Sequence, residues 1–372
     1  MSSFVRGTAL LVTSALPAFG LSVEAAPLPW LDTGALELDH SATLMLDHAD
    51  TTNLPQRGDE ASAWLLRRAA VQSTLTLSRR VSLEGELAFE DADNAWTWRD
   101  AFVALDLPDG WYASAGRQKQ DFGLSHTASL RNSLSLERPQ ALDLLALPRA
   151  DGLVLGREWG RGLLQAQWFR HEENDRAVDT YSLRGVHIRD DARYWHAGFS
   201  LSRSFLNGAE YRVDSPAQTA LLEKGLRTSR ITADEALYTG LDTAWRAGRA
   251  TLLAEGIHTR VTSRREGDRE YAGAYAQAAW FLTQDQHRFG AGTLRGLRVS
   301  GGVAAEVVAT LGWLDAFSRN DGFVSRTATV GLNFYLGRDL KLMVESGRVE
   351  IVQGEDRGEQ GTLAQMRLQW RF

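Results

Sequence analysis

No cysteine occurs anywhere in the 372 residues, so neither a disulfide nor thiol chemistry is open to this chain, and the fold must hold by other means. Lysine is nearly as scarce: Lys119, Lys224 and Lys341 are the only three among 41 basic residues. The rest is arginine, a bias that GC-rich codon usage explains as well as function does. Arginine still supplies fixed charge and forked hydrogen bonding to oxyanions. A basic excess is missing too. The formal charge of −6 argues against a nucleic-acid partner, which needs a concentrated basic surface. Long apolar runs are absent beyond the N-terminus, and the mildly negative mean hydropathy excludes a helical membrane protein of several spans.

The one apolar run lies at the start. Residues 1–25 carry an early charge, Arg6, an apolar core around Leu10 to Leu21, and small residues at Ala25 and Ala26. This pattern reads as a secretory signal peptide cut between Ala25 and Ala26, because Pro27 at the first mature position would hinder cleavage. The mature chain, residues 26–372, is then exported.

What fills the mature chain is two-residue alternation. At the C-terminus Ala364, Met366, Leu368, Trp370 and Phe372 alternate with Gln365, Arg367, Gln369 and Arg371, the signature of a strand with one apolar face. Ala328, Val330, Leu332, Phe334 and Leu336 do the same, as do Val303, Ala305, Val307, Ala309, Leu311 and Trp313. Counting such runs predicts sixteen strands, about 34–47, 63–78, 80–91, 96–107, 110–119, 151–159, 161–171, 180–189, 192–203, 237–247, 249–262, 270–283, 301–316, 324–337, 339–351 and 361–372. Most exceed the usual soluble strand and suit a tilted bilayer crossing. An even count returns both ends to one side. Tight connections at 78, 108, 159, 246 and 336 alternate with longer ones, as in an outer-membrane barrel. The connection at 284–300 is the exception, long where the pattern wants it short.

A soluble β-sandwich also has half-polar strands. Strand length, the export signal and aromatic residues near strand ends (Trp96, Trp98, Trp111, Tyr112, Trp313, Tyr335, Trp370, Phe372) favour an all-β transmembrane antiparallel barrel, whose closure pairs every backbone group. Sixteen strands leave a lumen too wide for wall side chains to fill. The stretch of about 119–150 shows no amphipathic strand, and loops of that length tend to be functional or disordered. Its leucines, Leu124, Leu130, Leu134, Leu136, Leu142, Leu144, Leu145 and Leu147, predict that this third long loop folds inward and narrows the pore. Its charges, Lys119, Arg131, Arg138 and Arg149 against Asp121, Glu137 and Asp143, nearly cancel, so anion preference must come from placement. Glu137 and Arg138 have an equally good second reading, as pins to the wall.

Several segments, in order, resemble the phosphate-selective porin O and P family: "WLLRRAAVQSTLTL", "WRDAFVALDL", "AGRQKQDFGL", "SLERP", "GAYAQAAWFLTQDQHRF", "AAEVVATLGWLD", "TVGLNFYLGRDLKLMVE" and "AQMRLQWRF". The resemblance implies a trimer of sixteen-stranded barrels, an inward third loop holding a basic anion site, and arginines along the wall. Two loop lysines of the phosphate-specific members fall on His126 and Arg131, the loop arginine falls on Arg138, and a wall pair falls on Arg67 and Arg68. Histidine is largely neutral near pH 7, which implies a weaker anion filter. A C-terminal phenylalanine, here Phe372, implies a tag for the barrel assembly machinery.

The expectation is therefore an outer-membrane porin, homotrimeric and in contact with outer-membrane lipid, passing small anions such as phosphate or polyphosphate. It places Arg131, Arg138, His126 and Lys119 near the constriction and Arg67, Arg68, Arg367 and Arg371 on the lumenal wall, with no cofactor and no metal. Asp47, His48 and Asp50 do not complete a metal set. A weakly selective diffusion pore and a barrel hydrolase remain alternatives, the latter with Ser125 beside His126 as its nearest candidate. A plugged receptor lacks the extra domain.

Overall fold

The computed structural model describes residues 36–54, 61–90, 95–219, 225–297 and 299–372; the predicted signal peptide lies outside them. Sixteen strands close into one antiparallel barrel: β1 (Glu37–Thr52), β2 (Ala61–Ser78), β3 (Val81–Glu90), β4 (Ala95–Asp106), β5 (Trp111–Gln118), β6 (Ala150–Trp159), β7 (Gly162–Glu173), β8 (Arg176–Asp190), β9 (Tyr194–Tyr211), β12 (Ile231–Ala247), β13 (Ala250–Thr262), β14 (Arg269–Phe281), β17 (Val303–Asp315), β18 (Phe323–Leu336), β19 (Leu340–Gly354) and β20 (Gln360–Arg371). Each corresponds to one of the sixteen predicted runs. Two short ribbons stand apart from the wall, β10 (Asp214–Ser215) with β11 (Leu226–Arg227), and β15 (Arg288–Gly290) with β16 (Thr293–Arg295). The barrel closes where β20 pairs with β1, and Phe372 exchanges backbone hydrogen bonds with Ala42.

The wall inverts the burial of a water-soluble protein. On β18, Val330 and Leu332 are 55% and 40% exposed while Thr327, Thr329 and Asn333 are buried. Such a surface is costly in water and is what a hydrocarbon band demands. Outward aromatics mark the band's edges. Trp64, Trp96, Trp98, Trp168, Tyr181 and Trp313 lie toward the rim of long loops, and Trp111, Trp195, Trp280 and Trp370 toward the rim of short turns. These are interfacial girdles.

The lumen is packed from the loop rim by the third long loop, L3, which leaves β5 at Gln118 and rejoins the wall at Ala150. L3 has only one helical turn and two short 3-10 segments, so most of its backbone groups need partners from elsewhere. Inward wall side chains supply them. Asn333 donates to the Leu134 carbonyl (2.8 Å), Lys341 to Ser133 (2.8 Å) and Gln369 to Arg131 (3.3 Å). Glu255 accepts the Leu124 and Ser125 amides (2.9 and 2.6 Å). The leucines pack as two groups. Leu142, Leu144 and Leu147 join Phe122, Tyr211, Tyr238 and Ile257, while Leu124 and Leu134 join Leu253, Val308 and Leu294.

Leu294 belongs to the connection that broke the alternation of tight and long. This segment is no slack turn. β15 and β16 form a hairpin whose tip, Ala291 and Gly292, has φ of 50° and 67°, as a two-residue hairpin turn requires. Phe289 stacks on the inward Tyr194 (4.3 Å between ring centroids), and Thr293 and Asn132 bridge the hairpin to L3 at 3.4 Å each. The hairpin therefore enters the lumen from the turn rim and meets L3 from beneath.

The strongest tie of L3 to the wall is Glu137. It accepts two hydrogen bonds from Arg67 on β2 (2.9 and 3.1 Å) and one from Arg367 on β20 (2.6 Å). Arg367 also grips Asp47 of β1 (2.7 and 2.6 Å). Burial alone would raise the Glu137 carboxyl, but Arg67 and Arg367 outweigh it and hold it below the usual carboxylate range. Glu137→Gln should lower barrel stability by about 1–3 kcal/mol, since both arginines keep a second carboxylate. Heat-induced unfolding of the purified barrel measures this, together with added open-channel noise from a loosened L3; an unchanged midpoint and a quiet channel would remove the pin.

Asp143 gives a second test. Packed beside Ser215, its carboxyl is pushed up to about 8 by burial. The folded value lies above the ordinary one, so the packed loop is favoured at low pH and loses stability as pH rises from about 4 through about 8. Amide exchange of L3 should accelerate between pH 5 and 8 beyond the intrinsic rate change, and Asp143→Asn should flatten that excess.

Candidate functional site

A regular strand cannot turn two consecutive side chains to one face. Yet Arg67 and Arg68 both point inward, because a register shift opposite Met45 and Leu46 leaves Arg67 as the extra residue of a β-bulge. A second bulge on β4, opposite Glu86 and Leu87, does the same for Arg99 and Asp100. The two bulged strands flank β3, whose inward residues include Glu86 and Glu90. Arg68 and Arg99 both bond Glu90, the former at 2.5 Å, and each lies within 4 Å of Glu86. Arg149 pairs with Asp100 at 2.8 Å.

L3 sets different cations against this wall. Lys119 donates to the Ala128 carbonyl at 3.0 Å, and Arg138 donates to the same oxygen at 3.0 Å and to the Ser125 carbonyl at 3.1 Å. Neither has a carboxylate partner within ion-pair distance among the described residues. Burial, and then the neighbouring Arg138 and Arg149, hold the Lys119 ammonium well below its ordinary range. Arg138 is pushed down to about 10 by burial and by Arg68. His126 is lowered well below its usual value by burial and by Lys119 and Arg138, so it stands as a neutral imidazole at pH 7. The Nε atoms of Arg68 and Arg99 and Nε2 of His126 are buried without a protein hydrogen-bond partner. These basic groups and orphaned nitrogens stand together with the carboxylates Glu86, Glu90 and Asp100 in one cluster between L3 and the wall.

The remaining predicted residues separate by partner. Arg131 reaches the wall at Gln72 (2.7 Å) and Thr43 (3.5 Å). It lines a recess of about 80 Å³ on the turn side of L3 with Arg295, Arg338, Lys341 and Arg371. Arg367 faces inward as the C-terminal alternation predicts, but it is 1% exposed and saturated by Asp47, Glu137 and the Leu136 carbonyl. It anchors the loop and offers no free guanidinium to a solute. Arg67 is likewise engaged by Glu137 and Glu90. Ser125 bonds Tyr275, which bonds Glu255; its hydroxyl partner is a phenol and not His126. His48 and Asp50 share the outward face at 3.6 Å while Asp47 points into the lumen.

Arg99 and Arg295 do not stand out in the sequence, and Arg149 counts there among the loop's charges without a place in the site. A signal for Arg99 existed. Trp96 and Trp98 put even positions outward, whereas Ala101, Val103 and Leu105 put odd ones outward, and that phase slip locates the bulge. Nothing comparable marks Arg149 or Arg295, which lie in irregular or newly formed segments.

Comparison with known proteins bears on the whole chain. The model of the family described as "phosphate-selective porin O and P" matches residues 44–372. Among solved structures, an anion-selective porin from Comamonas acidovorans superposes with a TM-score of 0.62 at 13% identity, covering 91% of this chain and 100% of that one. OmpT of Vibrio cholerae in a trimer form gives 0.60 at 12% identity, with 91% and 100% covered. OmpF of Salmonella typhi, solved with daunomycin, gives 0.56 at 12%, with 90% and 97% covered. No curated protein matches. At such identities the superpositions speak for the barrel fold, and the family match speaks for descent: this chain belongs to the phosphate-selective porin O and P family of outer-membrane porins.

Proposed function

We propose that this porin passes small anions by diffusion, phosphate-like solutes among them, through a filter formed by Lys119, Arg138 and His126 of L3 facing Arg68 and Arg99 of the wall. The observation that carries the reading is the convergence of Lys119 and Arg138 on one carbonyl, with no carboxylate within ion-pair distance of either among the described residues. A carbonyl leaves their remaining N–H donors free for a solute that has shed its water, which is how a filter substitutes for hydration. Arg131 and Arg371 then act below the filter, on the turn side. Arg67 and Arg367 serve as struts.

A second reading has its own support. Glu86, Glu90, Asp100 and Glu137 stand among these cations, and their charge offsets much of the field, as in a weakly selective diffusion pore. Reversal potentials in a chloride gradient across a planar bilayer separate the two. For an anion filter, Lys119→Gln with Arg138→Gln should reduce anion over cation preference on the order of tenfold, whereas Arg367→Gln should act mainly on stability. His126→Lys should strengthen block of chloride current by phosphate. A cation-directed potential in the native channel would reject the filter, and an unchanged potential in the double variant would favour the general pore.

The outward face of β1 to β4 exposes Trp64, Trp96 and Trp98 by 57–59% each, beside Leu44, Leu46 and Val71. This aromatic and aliphatic arc supports a homotrimer joined there, with the rest of the perimeter in lipid.

A further inference from the structure

A recess of about 630 Å³ lies on the turn side of L3, between the wall from β4 to β7 and the tip of the inward hairpin. At its centre Tyr112 of β5 reaches across Gly156 of β6, where any Cβ would stand 2.2 Å from the ring. Three carboxylates surround this ring. Asp106 is its cross-strand neighbour on β4, and inward side chains paired in that way stand about 5 Å apart. Glu158 lies two residues beyond Gly156 toward the turn rim. Asp121 of L3 is linked to the ring through Gln165, which accepts from the Tyr112 hydroxyl at 2.7 Å and donates to Asp121 at 2.9 Å. All three carboxylates border the recess, and none has an ion-pair partner among the described residues.

The end of the recess next to the filter has the opposite character. Gln118 is 7% exposed and borders the recess. Its side-chain carbonyl accepts from Ser114 at 2.7 Å, while its amino group is buried without a protein hydrogen-bond partner. Thr127 borders the recess too, and its carbonyl lies 3.5 Å from the Lys119 ammonium. Of the two arginines along the recess, Arg184 is taken by Asp242 at 2.8 Å, which leaves Arg295 of the hairpin against three carboxylates. A buried donor left unpaired calls for an acceptor oxygen. Carboxylates around an aromatic ring call for a cation.

We infer that this recess is a binding site for small solutes that join a phosphoryl group to an ammonium group. The phosphoryl oxygens stay with Gln118 and the filter cations, and the ammonium sits against Tyr112 among Asp106, Asp121 and Glu158. The phosphoryl end rests on the proposed filter; the ammonium end stands on the recess alone. A plain anion meets three unpaired carboxylates beyond Gln118, and a plain cation entering from the loop rim must first pass Lys119 and Arg138. A solute bearing both charges is favoured at both ends.

The test is block of chloride current through the full barrel in a planar bilayer. The blockers are phosphocholine and its neutral isostere, the phosphate monoester in which a tert-butyl group replaces trimethylammonium. Native channels should be half-blocked by phosphocholine at a concentration about tenfold below that of the isostere. Asp106→Asn with Asp121→Asn and Glu158→Gln should bring the two concentrations together. Asp106→Asn with Glu158→Gln should narrow the ratio, and this pair guards against misfolding because neither side chain makes a hydrogen bond or ion pair among the described residues. No block by phosphocholine, a ratio of one in native channels, or a ratio that survives in the triple variant would overturn the inference. The filter is judged separately, by the isostere: unchanged isostere block in Lys119→Gln with Arg138→Gln rejects the filter, while the ratio still decides the recess.

Discussion

The Glu137 carboxylate, shared between Arg67 and Arg367, is the contact on which the lumen's arrangement rests. Its two arginines come from β2 and β20, the strands on either side of β1. Arg367 also holds Asp47 of β1. One loop residue therefore spans the seam where the first and last strands meet. Removing a partner from such a buried cluster leaves charge without compensation, a larger loss than any one neutral hydrogen bond. The same contact that seats L3 braces the closure of the barrel.

Seating L3 in this way sorts the inward cations into two kinds. Arg67, Arg367 and Arg149 answer to carboxylates and carry structure. Lys119 and Arg138 answer to backbone carbonyls, which orient a cation without cancelling its charge. In the proposed filter, selectivity rests on that difference more than on the number of basic residues, because the chain's formal charge is −6.

Much of the wall was legible because lipid outside and polar groups inside impose a strict period of two. β18 and β20 show it residue by residue. The bulges were legible in principle, as phase slips between Trp64 or Leu66 and Val71 on β2, and between Trp98 and Ala101 on β4. That Glu137 could pin L3 to the wall was one of two readings open from the sequence, but its partners were not legible. Glu137 finds Arg67 at a separation of 70 residues and Arg367 at 230, and no local pattern encodes such a pairing. The inward hairpin escaped for another reason: three-residue strands are too short to show alternation.

The bulges and the packing explain one another. Inward side chains of β7 to β9 and β12 to β14, such as Gln167, Thr180, Ser204, Tyr238 and Thr259, are buried beneath L3, the β10–β11 ribbon and the hairpin. Those of β3 to β5, such as Glu84, Glu86, Phe102 and Ser114, keep partial exposure. A recess of about 630 Å³ opens along this side, bordered by Phe102, Ala104, Ser114, Gln118 and Thr127. An extra inward arginine on a covered strand would need a buried counter-charge. On β2 and β4 it meets the carboxylates of β3, Glu86 and Glu90, so the wall can hold Arg68 and Arg99 opposite Lys119 and Arg138.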